Sequence, residues 1–169
     1  MELLRIRGGR RLEGRVPISG SKNATLPVMA AALLTDQPVT LLNVPNIEDI
    51  STMGRMLQHI GAEVDRLDVH GWRVRAGDIG STEVGADLTG RMRGSLLLLG
   101  AMVARAGEAT IAKPGGDDIG MRRVEQHLEG LRLMGAEVEE TGDAYVARSK
   151  RLHGARITST SRRSPAPRT

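Results

Sequence analysis

The sequence predicts an α/β fold in which two helices are enclosed by sheet rather than laid upon it. Three observations predict this. GAEV occurs at 61–64 and again at 135–138, each time closing an amphipathic helical pattern. Upstream of each copy lies a run that is apolar all round, PVMAAALL at 27–34 and SLLLLGAMVA at 95–104. A helix of that kind is buried on every side. After each copy comes a polar, hairpin-like stretch, DRLDVHGWRVRAG and EETGDAYVARS. The unit is buried helix, strand, amphipathic helix, strand, strand, and it is present twice. Alternating elements of this sort make an α/β domain.

Each element has its own grounds. ISGSKN, 18–23, leads into the first buried helix, and QPVTLLNV follows it as a strand. The first amphipathic helix has Pro45 and Asn46 before it, Glu48 and Asp49 in its first turn, and Gly61 at its close. Its apolar face is Ile50, Met53, Leu57 and Ile60; the second such helix has Val124, Leu128, Leu131 and Met134, and Gly135 closes it. From the buried helices to the next strands the two copies align at an offset of 70 residues, but at GAEV the offset is 74. The second copy therefore carries extra residues between strand and helix, and that interval contains KPGGDDIG, 113–120. The first copy makes the same connection without them. A Gly- and Asp-rich insertion at such a turn is either a site or tolerated loop variation.

Composition narrows the function classes. The chain has 169 residues, enough for one domain or most of a larger one, and no cysteine, which excludes disulfides, cysteine-bound metal and a thiol nucleophile. With no Phe, one Trp and one Tyr, the core must be aliphatic. The start, MELLRIRGG, lacks a signal pattern, and the longest apolar runs fall short of the roughly 17–25 residues of a membrane span. A cytoplasmic location is expected. The net charge is +4, but the three arginines of 158–169 leave only +1 on residues 1–157. Nucleic-acid binding is not expected from so neutral a body with so few aromatic residues. His59, His70, His127 and His153 show no metal-ligand spacing, so no metal is expected.

Cations gather at the loop-to-helix junctions. Lys22 and Asn23 stand where a helix start offers free N–H groups to an anion; the plainer alternative is an ordinary cap beside a solvated lysine. Arg93, in GRMRGS, opens the second apolar helix. The helix dipole disfavours a cation there unless an anion joins it, so Arg93 is an anion clamp or a solvated first-turn residue. Arg122 and Arg123 open the second amphipathic helix, with His127 a turn on. If the two units pack side by side, Lys22, Arg93, Lys113, Arg122 and Arg123 form a pocket for a multiply charged small anion.

These stretches also carry a resemblance. Residues 8–64, with ISGSKN, and 91–138, with RMRGS and KPGGDDIG, together with the closing HGARI, resemble the start of the UDP-N-acetylglucosamine 1-carboxyvinyltransferases of the enolpyruvyl transferase family. The resemblance covers about residues 8–157. It implies an inside-out α/β barrel and transfer of enolpyruvyl from phosphoenolpyruvate to the sugar 3-hydroxyl of UDP-N-acetylglucosamine, the first committed step of peptidoglycan synthesis. It implies no cofactor. Lys22 and Asn23 match the pair that contacts phosphoenolpyruvate, and Arg93 matches a ligand-binding arginine. Arg122, Arg123, Val124, Glu125 and Gln126 match the segment that holds the uridine nucleotide, followed by His127. Arg123 and Gln126 replace the more usual proline and leucine. Asp117 stands where many members carry cysteine, and it takes the role of proton donor to the enolpyruvyl methylene carbon.

The same resemblance sets expectations for the rest. Residues 1–157 are read as part of one domain, with units at about 16–80 and 85–157. TSTSRRSPAPRT, 158–169, has no apolar periodicity and reads as a disordered, divergent tail. A third unit and a second domain are expected to be missing, and with them the family's general base. The chain is then a truncated transferase, inactive alone, or a non-catalytic remnant or ligand-binding half-module that needs a partner chain. Two units of a threefold domain leave apolar surface unpaired, so self-association is expected.

Overall fold

The computed structural model describes residues 3–90, 92–115 and 124–158. The stretch 3–19 carries no helix or strand and is exposed. Thereafter α1 (Lys22–Ala31) and a 3₁₀ turn (Ala32–Leu34) lead into β1 (Val39–Leu41), α2 (Glu48–Ile60), β2 (Glu63–Arg66) and β3 (Trp72–Arg75). Then come β4 (Glu83–Val84), α3 (Ala86–Thr89) and a second 3₁₀ turn (Arg93–Leu96). The last elements are α4 (Leu97–Ala106), β5 (Glu108–Ala112), α5 (Glu125–Leu133), β6 (Glu137–Glu140) and β7 (Ala144–Arg148). The class is α/β, as the alternating pattern predicts. The pattern did not contain β4 and α3, because two and four residues are too few to show a period.

The two halves share a topology. One sheet runs β1-β3-β2, the other β4-β5-β7-β6, and β5-β7-β6 repeats the order of the first. All pairs are antiparallel except β4 with β5. The chain's one Trp and one Tyr hold equivalent places. Trp72 on the central β3 lies opposite Leu41 and Arg66, and Tyr145 on the central β7 lies opposite Ile111 and Glu140. Both rings are buried. Beneath Trp72 sits Gly54 of α2, where an added Cβ would come within 2.8 Å of the indole.

The core is aliphatic and continuous across both halves, from Met29 and Leu33 through Met53, Leu57 and Ile60 to Leu98, Met102 and Ile111. The predicted stripe of α2 is buried in full, and Gly61 ends the helix at φ 110°, with the Ala62 N–H reaching back to the Leu57 carbonyl. Gly135 repeats this at φ 92°, with Ala136 bonded to Leu131.

One expectation needs correction. The apolar run 27–34 is not enclosed on every side: Val28 is 47% and Leu34 54% exposed. In α4, by contrast, Leu98, Leu99, Ala101, Met102 and Val103 are all buried. The difference is one of neighbours. α4 packs on α1, its 3₁₀ extension, β5 and β7, whereas the main helix contacts of α1 are with α2 and α4. An apolar helix is sealed only where something lies against each face.

Candidate functional site

Both buried helices begin at a tight backbone crossing. At Gly20 an added Cβ would overlap the Asn43 carbonyl oxygen, so the turn leaving β1 presses directly on the entry to α1. Asn43 adopts φ 55°, a left-handed conformation that asparagine tolerates better than most residues. In the second half the crossing recurs between Gly90 and Gly115, where the Gly115 N–H donates to the Thr89 carbonyl at 3.2 Å. Gly20 and Gly90 are 70 residues apart, the spacing that aligns the two apolar helices. In the first half the strand-to-helix turn is thereby pinned over the entry to α1, and in the second half Gly115 lies against the stretch that leads to the second 3₁₀ turn.

Lys22 is the first residue of α1, behind Ser21 in extended conformation, with Asn23 exposed beside it. Lys22 Nζ lies 2.8 Å from Asp49 Oδ2 in the first turn of α2. Arg93 begins the second 3₁₀ turn and is half-buried. Its neighbour Gly94 lies against Leu26 of α1, with an added Cβ 3.1 Å from Leu26 Cδ1. The second 3₁₀ turn, which opens with Arg93, therefore packs against α1 one turn in from Lys22.

Lys113 continues the line of β5. Its N–H donates to the Asp143 carbonyl at 2.7 Å, its Nζ meets Glu140 Oε1 at 2.9 Å, and the ammonium sits 5.8 Å from the Tyr145 ring centre. The hydrogen bond that Lys113 donates to Glu140 raises the Lys113 pKa above its ordinary value. Burial raises that of Tyr145, and Glu140 adds to it, while Lys113 and Arg93 pull it down and Glu125 pushes it up. Arg93, Lys113, Glu125 and Glu140 therefore share one electrostatic neighbourhood around Tyr145. At the start of α5, Val124 is half-buried, and Glu125, Gln126 and His127 are exposed. Asp117, Arg122 and Arg123 lie outside the described residues.

Sequence reasoning read Asp49 only as a helix start and not as the partner of Lys22. A signal was present: at the 74-residue offset, Asp49 stands where the second copy has Arg123. A cavity of about 670 Å³ lies elsewhere, lined by Gly107, Glu108, Gly135, Glu137, Arg148 and Lys150, among others. It opens at the opposite end of the second sheet from Lys113 and Glu140, since Glu108, Arg148 and Glu137 form that sheet's first row. Among the described residues, none of the predicted site residues lines it.

Comparison with known proteins gives a consistent set of relatives. The family described as EPSP synthase (3-phosphoshikimate 1-carboxyvinyltransferase) matches residues 6–162. UDP-N-acetylglucosamine 1-carboxyvinyltransferase of Desulfatibacillum aliphaticivorans is 44% identical over 157 residues, covering 93% of this chain and 38% of that protein. Its counterpart in Acidiphilium cryptum is 47% identical over 159 residues, covering 94% and 38%. Among solved structures, the enolpyruvyl transferase NikO from Streptomyces tendae superposes with a TM-score of 0.72 at 32% identity, over 86% of this chain and 32% of that one. EPSP synthase from Acinetobacter baumannii, at a TM-score of 0.58 and 16% identity over 80% of this chain, shares the fold. The chain thus spans about 38% of the length of the curated relatives it matches.

Proposed function

The chain belongs to the EPSP synthase family, and on that premise we propose that it carries part of the machinery for enolpyruvyl transfer from phosphoenolpyruvate to UDP-N-acetylglucosamine. The observation that carries this reading is a pair of helical segments in contact, one opened by Lys22 and the other by Arg93, whose neighbour Gly94 lies against Leu26 of the first. Cations at two neighbouring helix starts complement a phosphate and a carboxylate, the charged groups of phosphoenolpyruvate. Names of relatives at 44% and 47% identity support the second substrate.

In this reading Lys22, Asn23 and Arg93 bind phosphoenolpyruvate, and Arg122 to His127 hold the nucleotide. Asp117 is the proton donor. An unperturbed aspartate titrates near 3.9 and is ionised at neutral pH, so the donor role requires its pKa to rise when ligand excludes water. The scaffold is two units, about 16–80 and 85–157, of an inside-out barrel, in a domain running over residues 1–157.

Because the chain spans so little of its relatives' length, its chemistry depends on what the remainder supplies. The test is phosphate release from phosphoenolpyruvate plus UDP-N-acetylglucosamine, by this chain alone and after mixing with a polypeptide covering the remaining part of the Acidiphilium cryptum relative. The expected result is release only in the mixture, lost on Lys22→Met. Silence in both would leave a ligand-binding module and overturn the transferase reading.

A further inference from the structure

We infer that Asp49 is the resident counter-ion of Lys22 and that an anionic ligand must take its place. The inference rests on the reading of Lys22 as a ligand lysine and adds a residue that reading does not contain. Lys22 Nζ and Asp49 Oδ2 are 2.8 Å apart, with side chains 48% and 34% exposed. The two residues belong to different helices, α1 and α2, and each lies in the first turn of its own. They are treated oppositely by the dipoles. A carboxylate in the first turn of α2 is favoured, and a lysine opening α1 is disfavoured unless an anion stands beside it. Asp49 is that anion in the ligand-free protein.

Two consequences of the pair oppose each other. Asp49 holds a long, flexible side chain in one place, which favours any ligand that uses it. It also puts a negative charge next to the position a phosphate would occupy. A half-exposed ion pair is worth little, so the ordering it provides is small. Repulsion between Asp49 and a multiply charged phosphate a few ångströms away is the larger of the two, because it scales with the ligand's charge. The carboxylate therefore yields Lys22 to the ligand, and the site stays neutral and closed to weakly charged anions until a stronger one arrives.

The experiment titrates phosphoenolpyruvate into the full 169-residue chain, following the Lys22 side-chain ¹³Cε and the Asp49 carboxyl ¹³Cγ by NMR, and repeats it on Asp49→Asn and Asp49→Ser. The expected result is that both signals move together in the parent chain and that each variant binds roughly 3- to 10-fold more tightly. Asparagine keeps the shape of the aspartate side chain without its charge, and serine guards against a fold defect peculiar to one substitution. If Lys22 never responds in any of the three proteins, the lysine is not a ligand residue and the underlying reading fails with the inference. If Lys22 responds but both variants bind equally or more weakly, Asp49 only orders the lysine; the exchange is overturned and the site stands.

Discussion

Gly20→Ala is the substitution that most directly probes how the site is held. A Cβ at Gly20 would overlap the Asn43 carbonyl oxygen, far inside the 3.0 Å that side-chain carbons keep from other atoms. Both partners are backbone, so no side chain can swing aside. Relief demands movement on the order of 1 Å in a closely packed turn. That turn has little slack. Asn43 is already left-handed at φ 55°. Val44, next to it, donates its N–H to the His70 carbonyl at 2.8 Å, and its own carbonyl meets His70 Nδ1 at 2.8 Å. Losing two such hydrogen bonds costs about 1 kcal/mol each, and backbone strain adds to that. The expected loss is about 3 kcal/mol, a large part of the stability of a domain this size. Urea unfolding followed by fluorescence of Trp72, the only tryptophan, reads it directly. Gly8→Ala, with open space around its Cβ, is the control. If Gly20→Ala unfolds at the control's midpoint, the crossing does not exist in solution and the pinned-turn reasoning is refuted.

Other outcomes follow from single contacts. Ser95 Oγ is fully buried with no hydrogen-bond partner among the described residues, so Ser95→Ala should leave stability unchanged or raise it by up to about 1 kcal/mol; a loss above that would reveal a hidden partner. Leu128 is the one fully buried side chain of α5, and Leu128→Ala should cost about 2–5 kcal/mol by the same urea assay. For Tyr145 and Lys113 the folded-state pKa lies above the ordinary value, so the native state holds protons that the unfolded state has released. Their contribution is complete below the ordinary values of 10.0 and 10.5 and is lost as pH rises through the raised ones. Thermal melts should therefore fall above pH 10, and Tyr145→Phe should shrink that fall; an unchanged slope in the variant would exclude Tyr145 as its source.

How far the sequence could be read depended on period and on neighbours. The stripe Ile50, Met53, Leu57, Ile60 repeats at helical spacing and is buried as it predicts. Gly61 and Gly135 end their helices in the left-handed conformation that glycine permits. The exposure of Val28 was not legible, since an all-apolar run says what a helix prefers and not whether a neighbour is there to cover it. Asp49 escaped for another reason. A carboxylate in a first turn explains itself as a helix start, so nothing local marks it as the partner of Lys22, 27 positions earlier in the chain and on another helix.

The two halves match in scaffold and differ at the working end, and the register shows where the change falls. Rows deep in the sheets carry the same kinds of residue: Val74 lies between Val39 and Val64, and Ala147 between Ala109 and Val138. At the aromatic row the halves part. Trp72 faces Arg66, which donates to Asn46 Oδ1 at 2.9 Å, whereas Tyr145 faces Glu140, which takes Lys113. The charge beside the aromatic ring is reversed, and in the sequence Asp49 aligns with Arg123 at the 74-residue offset. Packing holds the inner rows to one solution, because any change of volume there is felt at once. The turns beyond the sheets carry no such constraint. A duplicated unit can therefore keep one scaffold and still open one helix with a lysine–aspartate pair and the other with an arginine.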